Sequence, residues 1–395
     1  MNPDPSGQKG KRLRVCVVTG TRADYGLLRP IMLALKADPA FELMIVASAM
    51  HLVPEFGETW KEIDADGFSI DAQVEMLMAS DSRRATAKAI GLGMIGFADA
   101  LERLAPDILM LLGDRFEALA AASTALVLGI PIAHISGGDV TEGAFDDSLR
   151  HAITKMSHLH FVASQEAAAR VVQMGEDPAR VFAVGDPGLD SLRDMKLIDR
   201  HSLENDLNIK FLSRNLLITY HPVTLEIGSS TTQFSILLDA LQSLGTDVGL
   251  IFTHPNADPE GRGLATMLEE FVSRHPNATA FKSLGRHRYL SVMNQCDVVI
   301  GNSSSGLVEA PSLNMPTVNI GTRQAGRLRS KTVIDCPVDV GAITCAIEKA
   351  FNRPTIEMVN PYGDGYASGR IVEQLKKIEY PKMLMRKTFH NFGTP

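Results

Sequence analysis

Val15-Cys16-Val17-Val18-Thr19-Gly20-Thr21-Arg22-Ala23-Asp24 is the stretch that decides the fold. Val15–Thr19 runs without a charge, breaks at a turn over Gly20–Asp24, and gives way to helical spacing over Leu27–Lys36. An apolar strand that feeds a helix opens a parallel sheet buried on both faces. Similar bursts recur at Leu43–Ala49, Ile108–Leu112, Ile130–Ile135, Leu159–Val162 and Val181–Val184. Helical stretches separate them at Ala85–Leu104, Ala118–Leu128, Leu149–Met156 and Glu166–Met174. After Gly185–Gly188 the chain turns charged and irregular over Lys196–Arg214. A second series follows: Leu216–Tyr220, Val248–Thr253, Thr279–Phe281, Val298–Ile300 and Thr317–Ile320. Its helices are expected at Phe234–Leu244, Leu264–Ser273, Tyr289–Asn294, Leu307–Leu313 and Ile343–Phe351. The expected architecture is α/β, with two doubly wound halves at 1–190 and 191–368 and a cleft between them. The final helix, roughly Gly369–Ile378 within 369–395, is expected to pack back on the first half.

Length and composition agree. A chain of 395 residues exceeds what one core usually supports. With 45% hydrophobic but only 6% aromatic residues, the apolar mass is aliphatic, as helices on a buried parallel sheet require. A net charge of −7 argues against a nucleic-acid partner, which calls for a basic surface. The four cysteines are scattered, without a C-x-x-C pair, so neither a disulfide framework nor a zinc site is expected. No signal-like or membrane-spanning apolar run appears, and a soluble, cytoplasmic protein is expected.

Two decoys fall away on context. Gly91, Gly93 and Gly96 match G-x-G-x-x-G but lie inside a helical stretch, where they read as packing glycines. No phosphate loop of the Walker type is present either, so nicotinamide and ATP lack support. His158 and His160 form a lone H-x-H without a third ligand and read as structural; no metal or other cofactor is expected.

Ligands of open α/β sheets bind beyond the carboxyl ends of the strands, and five strand exits carry polar residues the fold does not need. Gly20–Gly26 places Arg22 and Asp24 beside a helix start, where Asp24 either caps the helix or meets a ligand and Arg22 calls for an anion. Gly113-Asp114-Arg115 reads as an acid/base beside a phosphate contact, with Asp114 as a helix cap the blander alternative. His134–Asp139 leads through paired glycines to Asp146, Asp147, Arg150 and His151; Asp146 and Arg150 share a helix face, as a ligand site or a surface ion pair. Tyr220-His221-Pro222-Val223 offers an imidazole as acid, base or phosphate donor, and His254 follows the next strand. Gly301-Asn302-Ser303-Ser304-Ser305-Gly306 rings hydroxyls and backbone N–H groups around a helix start suited to a diphosphate. Glu309, about one turn on, suits ribose hydroxyls, and Gly321-Thr322-Arg323-Gln324 lies beyond.

On these residues the chain resembles the hydrolysing UDP-N-acetylglucosamine 2-epimerases of sialic- and legionaminic-acid synthesis. The likeness runs from Arg14 to about Lys377. It is carried by Gly-Thr-Arg-Ala-Asp-Tyr (20–25), Gly-Asp-Arg-Phe (113–116) and Asp-Asp-Ser-Leu-Arg-His-Ala-Ile-Thr-Lys (146–155). His-Pro-Val-Thr (221–224), Gly-Asn-Ser-Ser-Ser-Gly (301–306), Gly-Thr-Arg-Gln (321–324) and Tyr-Gly-Asp-Gly (362–365) complete it. The resemblance implies the glycosyltransferase-B architecture and a reaction that releases UDP and a free 2-epimerised sugar without a redox cofactor. It implies Asp114 and Asp146 as catalytic carboxylates, nucleotide and phosphate contacts from Arg22, Arg115, His221, Ser303, Ser304 and Arg323, and a ribose contact from Glu309. His221 is also a catalytic candidate, and Asp24, Ser136, Asp147, Arg150, His254, Gly301 and Asn302 complete the expected binding set.

One departure stands out. Some members of that family carry a catalytic Glu where this chain has Ser136, so Asp139 or Glu142 supplies the carboxylate or the acid/base arrangement differs. A serine there also reshapes the pocket, admitting a diacetamido-trideoxy sugar as well as N-acetylglucosamine. The motifs admit UDP or GDP. A homodimer or homotetramer is expected from the resemblance. The competing readings are a non-hydrolysing 2-epimerase, a glycosyltransferase of the same architecture and a non-catalytic sugar-nucleotide sensor.

Overall fold

Seven parallel strands form the first sheet: β1 (Leu13–Thr19), β2 (Phe41–Ser48), β3 (Ala72–Val74), β4 (Ile108–Leu112), β5 (Ile132–Ile135), β6 (Leu159–Val162) and β7 (Val181–Ala183). Their spatial order is β3-β2-β1-β4-β5-β6-β7. Six more form the second: β8 (Arg214–Thr219), β9 (Val248–Thr253), β10 (Ala278–Phe281), β11 (Val298–Gly301), β12 (Thr317–Ile320) and β13 (Val333–Cys336), ordered β10-β9-β8-β11-β12-β13. The computed structural model describes residues 12–80, 82–141, 145–221, 230–254, 261–353 and 359–391, with the side chains of 261 and 262 excepted. One compact unit holds the first sheet and takes in Phe145–Ser191 and the segment from Gly365 onward; the other holds Leu192–Asp364.

Alternation along β1 shows why the first sheet is buried on both faces. Val15 and Val17 enter one core with Leu28, Ile31 and Met32 of the helix Arg22–Ala37. Cys16 and Val18 enter the other with Phe97 and Leu101 of Arg83–Leu104 and with Ala121 of Phe116–Val127. The helix Ala367–Lys376 adds Ile371 and Leu375 to the first core. Asp190 anchors its start, accepting from the Ala367 and Ser368 amides at 2.9 and 2.7 Å. In the second unit Leu216, Ile218, Leu250, Phe252, Val298 and Ile300 share one core with Leu237, Leu241 and Ile347 of flanking helices.

Several elements differ from expectation. β3 and β13 are short edge strands whose sequences, Ala-Gln-Val and Val-Ile-Asp-Cys, lack the unbroken apolar run of a central strand. The charged stretch before β8 contains the helix Arg200–Leu207, capped by Asp199 Oδ1 on the Ser202 amide at 3.0 Å. The stretch read as Leu307–Leu313 is a short helix, Ser305–Val308, followed by a 3₁₀ turn at Ala310–Leu313, because Pro311 lacks the N–H a continuing helix needs. Gly93 and Gly96 do pack: an added Cβ would lie 2.7 Å from Met76 and 2.8 Å from Val74. Gly91 faces open space and is no packing glycine. His158 Nδ1 accepts from the Ile132 amide at 3.1 Å, and His160 Nε2 lies 3.0 Å from Glu176 Oε2. No described helix is long and apolar enough to cross a membrane.

Burial lowers the imidazoles of His51, His158 and His221 to about 4 and of His134 to about 3, and lowers His160. Unfolded, such groups protonate near ~6.5. Below that pH the unfolded chain therefore binds more protons than the folded one, and stability falls on acidification until the folded groups titrate too. Asp24, lifted by burial to about 6, and the raised Asp146 and Glu309 act in the opposite sense but are fewer. Unfolding free energy should drop by about 1–3 kcal/mol per pH unit below pH ~6. Urea denaturation at neutral and at acidic pH checks this; a flat profile would mean that the histidines are not held neutral.

Candidate active site

The order of the first sheet reverses between β1 and β4, so the loops leaving these strands part and open a crevice. Beyond β1 the first turn of the helix Arg22–Ala37 brings Asp24, and the β4 loop brings Asp114 and Arg115. Arg150 reaches the same place from the helix Phe145–Met156. It is 5% exposed. Its guanidinium bonds to Asp114 Oδ2, to the Asp139 carbonyl at 2.9 Å and to Asp147 Oδ1 at 3.3 Å. Arg150 is thus the buried hub of the cluster rather than half of a surface pair with Asp146. The carboxylate it engages on its own helix is Asp147, one helical turn away.

Arg115 forms a second centre. Its Nε–H donates to Glu117 Oε1 at 2.5 Å, and Asp24 Oδ2 lies 3.8 Å away. Burial works against this charge, but Glu117, Asp24 and Asp114 together hold the guanidinium proton more tightly than usual. Neither Asp24 nor Asp114 caps a helix. Thr21 caps Arg22–Ala37 by accepting from the Asp24 amide at 3.2 Å, and Arg115 itself occupies the cap position of Phe116–Val127. Burial raises the carboxyls of Asp24, to about 6, and of Asp146, and neighbouring carboxylates add to the effect against Arg115. Arg22, in the first turn and exposed, pairs with Glu62 at 3.2 Å. Ser136 follows β5 in a left-handed conformation at φ 60°, uncommon for a residue with a Cβ, and its amide donates to the Phe161 carbonyl at 2.9 Å. Beneath the β4 loop, His134 Nε2–H donates to the Gly113 carbonyl at 2.7 Å. Glu142 lies outside the described residues.

The second sheet repeats this plan at its own reversal between β8 and β11. Gly301 has a φ of 131°, and a Cβ there would sit 1.9 Å from the Thr219 carbonyl, so only glycine lets the two strand ends close up. Asn302, fully buried, binds His221 of the β8 exit twice. Its Oδ1 accepts from the His221 amide at 2.7 Å, and its Nδ2 donates to the His221 carbonyl at 2.8 Å. The Asn302 carbonyl in turn accepts from Arg323 Nη1 at 2.9 Å and from Gln324 Nε2 at 2.8 Å. Asn302 therefore ties together three strand exits. Burial, with Arg323 nearby, keeps His221 neutral around pH 7. Ser303 Oγ accepts from the Ser305 amide at 3.4 Å, and Ser304 takes the cap position of the short helix without a side-chain cap. Glu309 follows that helix, its carboxyl pushed up by burial against the opposing pull of Arg286, whose Nη1 lies 3.6 Å away. His254 leaves β9 with its amide on the Phe281 carbonyl at 3.0 Å. Pro222, Val223 and Thr224 of the His-Pro-Val-Thr motif lie outside the described residues.

Sequence reasoning missed Glu117, Arg286 and Tyr289, the last 2.5 Å from Ser305 Oγ. A glutamate in the first turn of a helix looks like ordinary dipole compensation, which hid Glu117. Tyr289 lies sixteen residues before its serine partner, and no local pattern signals such a pairing.

Two Rossmann-like sheets, each with polar side chains gathered at its reversal, put the chain in the glycosyltransferase-B class of architectures. The chain belongs to the UDP-N-acetylglucosamine 2-epimerase family, whose model matches residues 33–376. It is 38% identical over 374 residues to a UDP-N,N'-diacetylbacillosamine 2-epimerase (hydrolyzing) of Legionella pneumophila, covering 95% of this chain and 98% of that one. It is 40% identical over 327 residues to a GDP/UDP-N,N'-diacetylbacillosamine 2-epimerase (hydrolyzing) of Campylobacter jejuni, covering 82% and 85%. Among solved structures, a UDP-GlcNAc 2-epimerase from Neisseria meningitidis bound to UDP-GlcNAc shares the fold with a TM-score of 0.74 at 19% identity, covering 93% of this chain and 100% of that one.

Removing a buried guanidinium strands Asp114 without its cation, and breaking a buried pair costs about 3–5 kcal/mol. Arg150→Ala should destabilise the protein by that amount in urea denaturation. A loss below ~1 kcal/mol would show that Arg150 is a solvated surface group.

Proposed function

We propose that this chain is a hydrolysing nucleotide-sugar 2-epimerase that acts on a diacetamido-trideoxyhexose carried on UDP or GDP. The reaction class rests on one observation above all: carboxylates Asp24, Asp114, Asp146 and Asp147 crowd two guanidiniums at the first sheet's reversal. Inverting a carbon centre requires one group to take a proton from one face and another to return it on the opposite face, and such transfers contribute about 10²–10⁴-fold each. The choice of sugar is supported by the substrates named for the Legionella and Campylobacter relatives.

In this reading a carboxylate takes the proton from sugar C2. The C1–oxygen bond to the diphosphate breaks with its electron pair leaving on phosphate, and a C1–C2 double bond forms. Water then adds its hydroxyl to C1 while C2 gains a proton from the other face. Asp114 and Asp146 are assigned to these transfers, with Asp139 or Glu142 as a third carboxylate. Ser136 stands where some family members carry a Glu and leaves room for a substituted sugar. Arg22, Arg115, Asp147 and Arg150 serve the substrate from the first unit. In the second, His221, His254, Gly301–Ser304 and Arg323 are assigned to the nucleoside diphosphate and Glu309 to the ribose. Preorganised donors at a departing diphosphate often supply the largest catalytic contribution. The proposal has the enzyme working in the cytoplasm as a homodimer or homotetramer.

Proton NMR in D₂O with UDP- and GDP-linked diacetamido sugar and with UDP-N-acetylglucosamine tests the reaction. The expected products are a free manno-configured sugar with deuterium at C2 and an equal amount of nucleoside diphosphate. A product that keeps its nucleotide would reject hydrolysis and favour the non-hydrolysing epimerase. In the same assay Asp114→Asn should lower turnover by at least ~10²-fold while UDP affinity by calorimetry stays within about threefold, well under the tenfold that 1.4 kcal/mol represents. A collapse of UDP binding would make Asp114 a nucleotide ligand.

A further inference from the structure

Glu117 is a charged side chain in an unusual position. It sits in the first turn of Phe116–Val127 yet is only 2% exposed. Its Oε1 accepts from Arg115 Nε at 2.5 Å, while its Oε2 is buried with no hydrogen-bond partner among the described residues. Burying a carboxylate is costly unless a cation compensates, and Arg115 is the cation in contact with it. The β1 exit is shaped around the same group. A Cβ on Gly20 would lie 2.4 Å from Glu117 Oε1 and 2.5 Å from its Cγ. Gly20 has no positive φ that demands glycine. The space Gly20 leaves empty is the space the Glu117 carboxylate occupies.

We propose that Glu117 is a positioning residue for Arg115: it clamps the guanidinium from the buried side, and Gly20 is small so that the clamp can close. The functional consequence rests on the reaction proposed above; the clamp itself does not. A planar guanidinium has five N–H donors in a fixed fork. Holding it at Nε fixes the plane of the fork and leaves the Nη side, where Met50 Sδ is 3.6 Å from Nη2, to meet an anion. Arg115 then presents preorganised positive charge instead of reorienting as the leaving diphosphate gains charge. Because that demand grows in the transition state, the clamp acts on kcat more than on KM.

The test combines Glu117→Ala, Glu117→Gln, Gly20→Ala and the double variant Gly20→Ala/Glu117→Ala in the full-length protein, with two readouts. The first is the ¹⁵N-arginine Nε–H signal of Arg115, assigned by its loss in Arg115→Lys and independent of turnover. It should be shifted and protected in wild type and in Glu117→Gln, which keeps the acceptor oxygen, and lost to solvent exchange in Glu117→Ala and Gly20→Ala. The second is steady-state turnover. Glu117→Ala and Gly20→Ala should each lower kcat by about 10- to 100-fold with KM within about threefold, and Glu117→Gln should recover most of the loss. The two lesions act through one contact, so the double variant should be no worse than Glu117→Ala alone. A protected signal that survives in Glu117→Ala overturns the clamp whatever the activity. Multiplying effects in the double variant overturn Gly20's part in it. A wild type with the protected signal but no turnover refutes the reaction and leaves the clamp standing. Should Glu117→Ala not fold, Gly20→Ala against Glu117→Gln decides through the same two readouts.

Discussion

A guanidinium taken out of water has to find acceptors for its fixed fork of donors, and Arg150 finds them on three separate pieces of chain: Asp114 after β4, the Asp139 carbonyl after β5, and Asp147 on its own helix. That requirement organises the first unit's site. The β4 exit cannot shift without stranding Asp114, and the helix Phe145–Met156 cannot rotate without withdrawing Arg150. Thr154, one turn below, donates to the Arg150 carbonyl at 2.9 Å and lies 3.2 Å from His134 Nδ1. The path thus continues through His134 to the Gly113 carbonyl. A buried ion pair is weak evidence of net stability. Its value here is geometric, because it fixes where a carboxylate stands.

The second unit meets the same problem with a neutral group. Where Arg150 joins loops by charge, Asn302 joins them by an amide that donates to and accepts from the His221 backbone. An amide suits a place where Arg323 already supplies positive charge, since a further buried cation would lack a partner. The two units share a topology and place their polar residues at the same reversal of strand order, yet they differ in chemistry. One concentrates carboxylates, the other hydroxyls, amides and a neutral imidazole. This contrast is what the proposed reaction would use, with proton transfer assigned to the first unit and nucleotide binding to the second.

The architecture was readable because a parallel strand covered on both faces is predominantly apolar. Ile108–Leu112 and Val248–Thr253 stand out for that reason and coincide with β4 and β9. Leu159–Val162 and Thr317–Ile320 coincide with β6 and β12 although each carries a buried polar residue, His160 and Asn319. β3 and β13 escaped because edge strands are covered less completely and tolerate Gln73 and Asp335. Helix starts were placed too late wherever a polar first turn precedes the apolar stripe, as at Arg22, Phe145 and Gly285. At the site, strand exits marked which loops matter. They did not reveal which partner each side chain takes, because Arg150–Asp114 and Glu117–Gly20 are pairings made by topology.

The crowding itself argues for a division of roles among the acids. Asp114 and Glu117 each hold a guanidinium directly, whereas Asp24 stands 3.8 Å from one that Glu117 already engages. At Asp146, burial and the neighbouring Asp114 and Glu117 raise the carboxyl against the pull of Arg115 and Arg150. Burial, reinforced by the carboxylates of Glu117 and Asp114 and only partly offset by Arg115, lifts Asp24 to about 6. An environment that raises an acid in this way keeps a proton available nearer to neutral pH. A reaction that removes a proton from carbon and returns one on the opposite face needs such a proton donor.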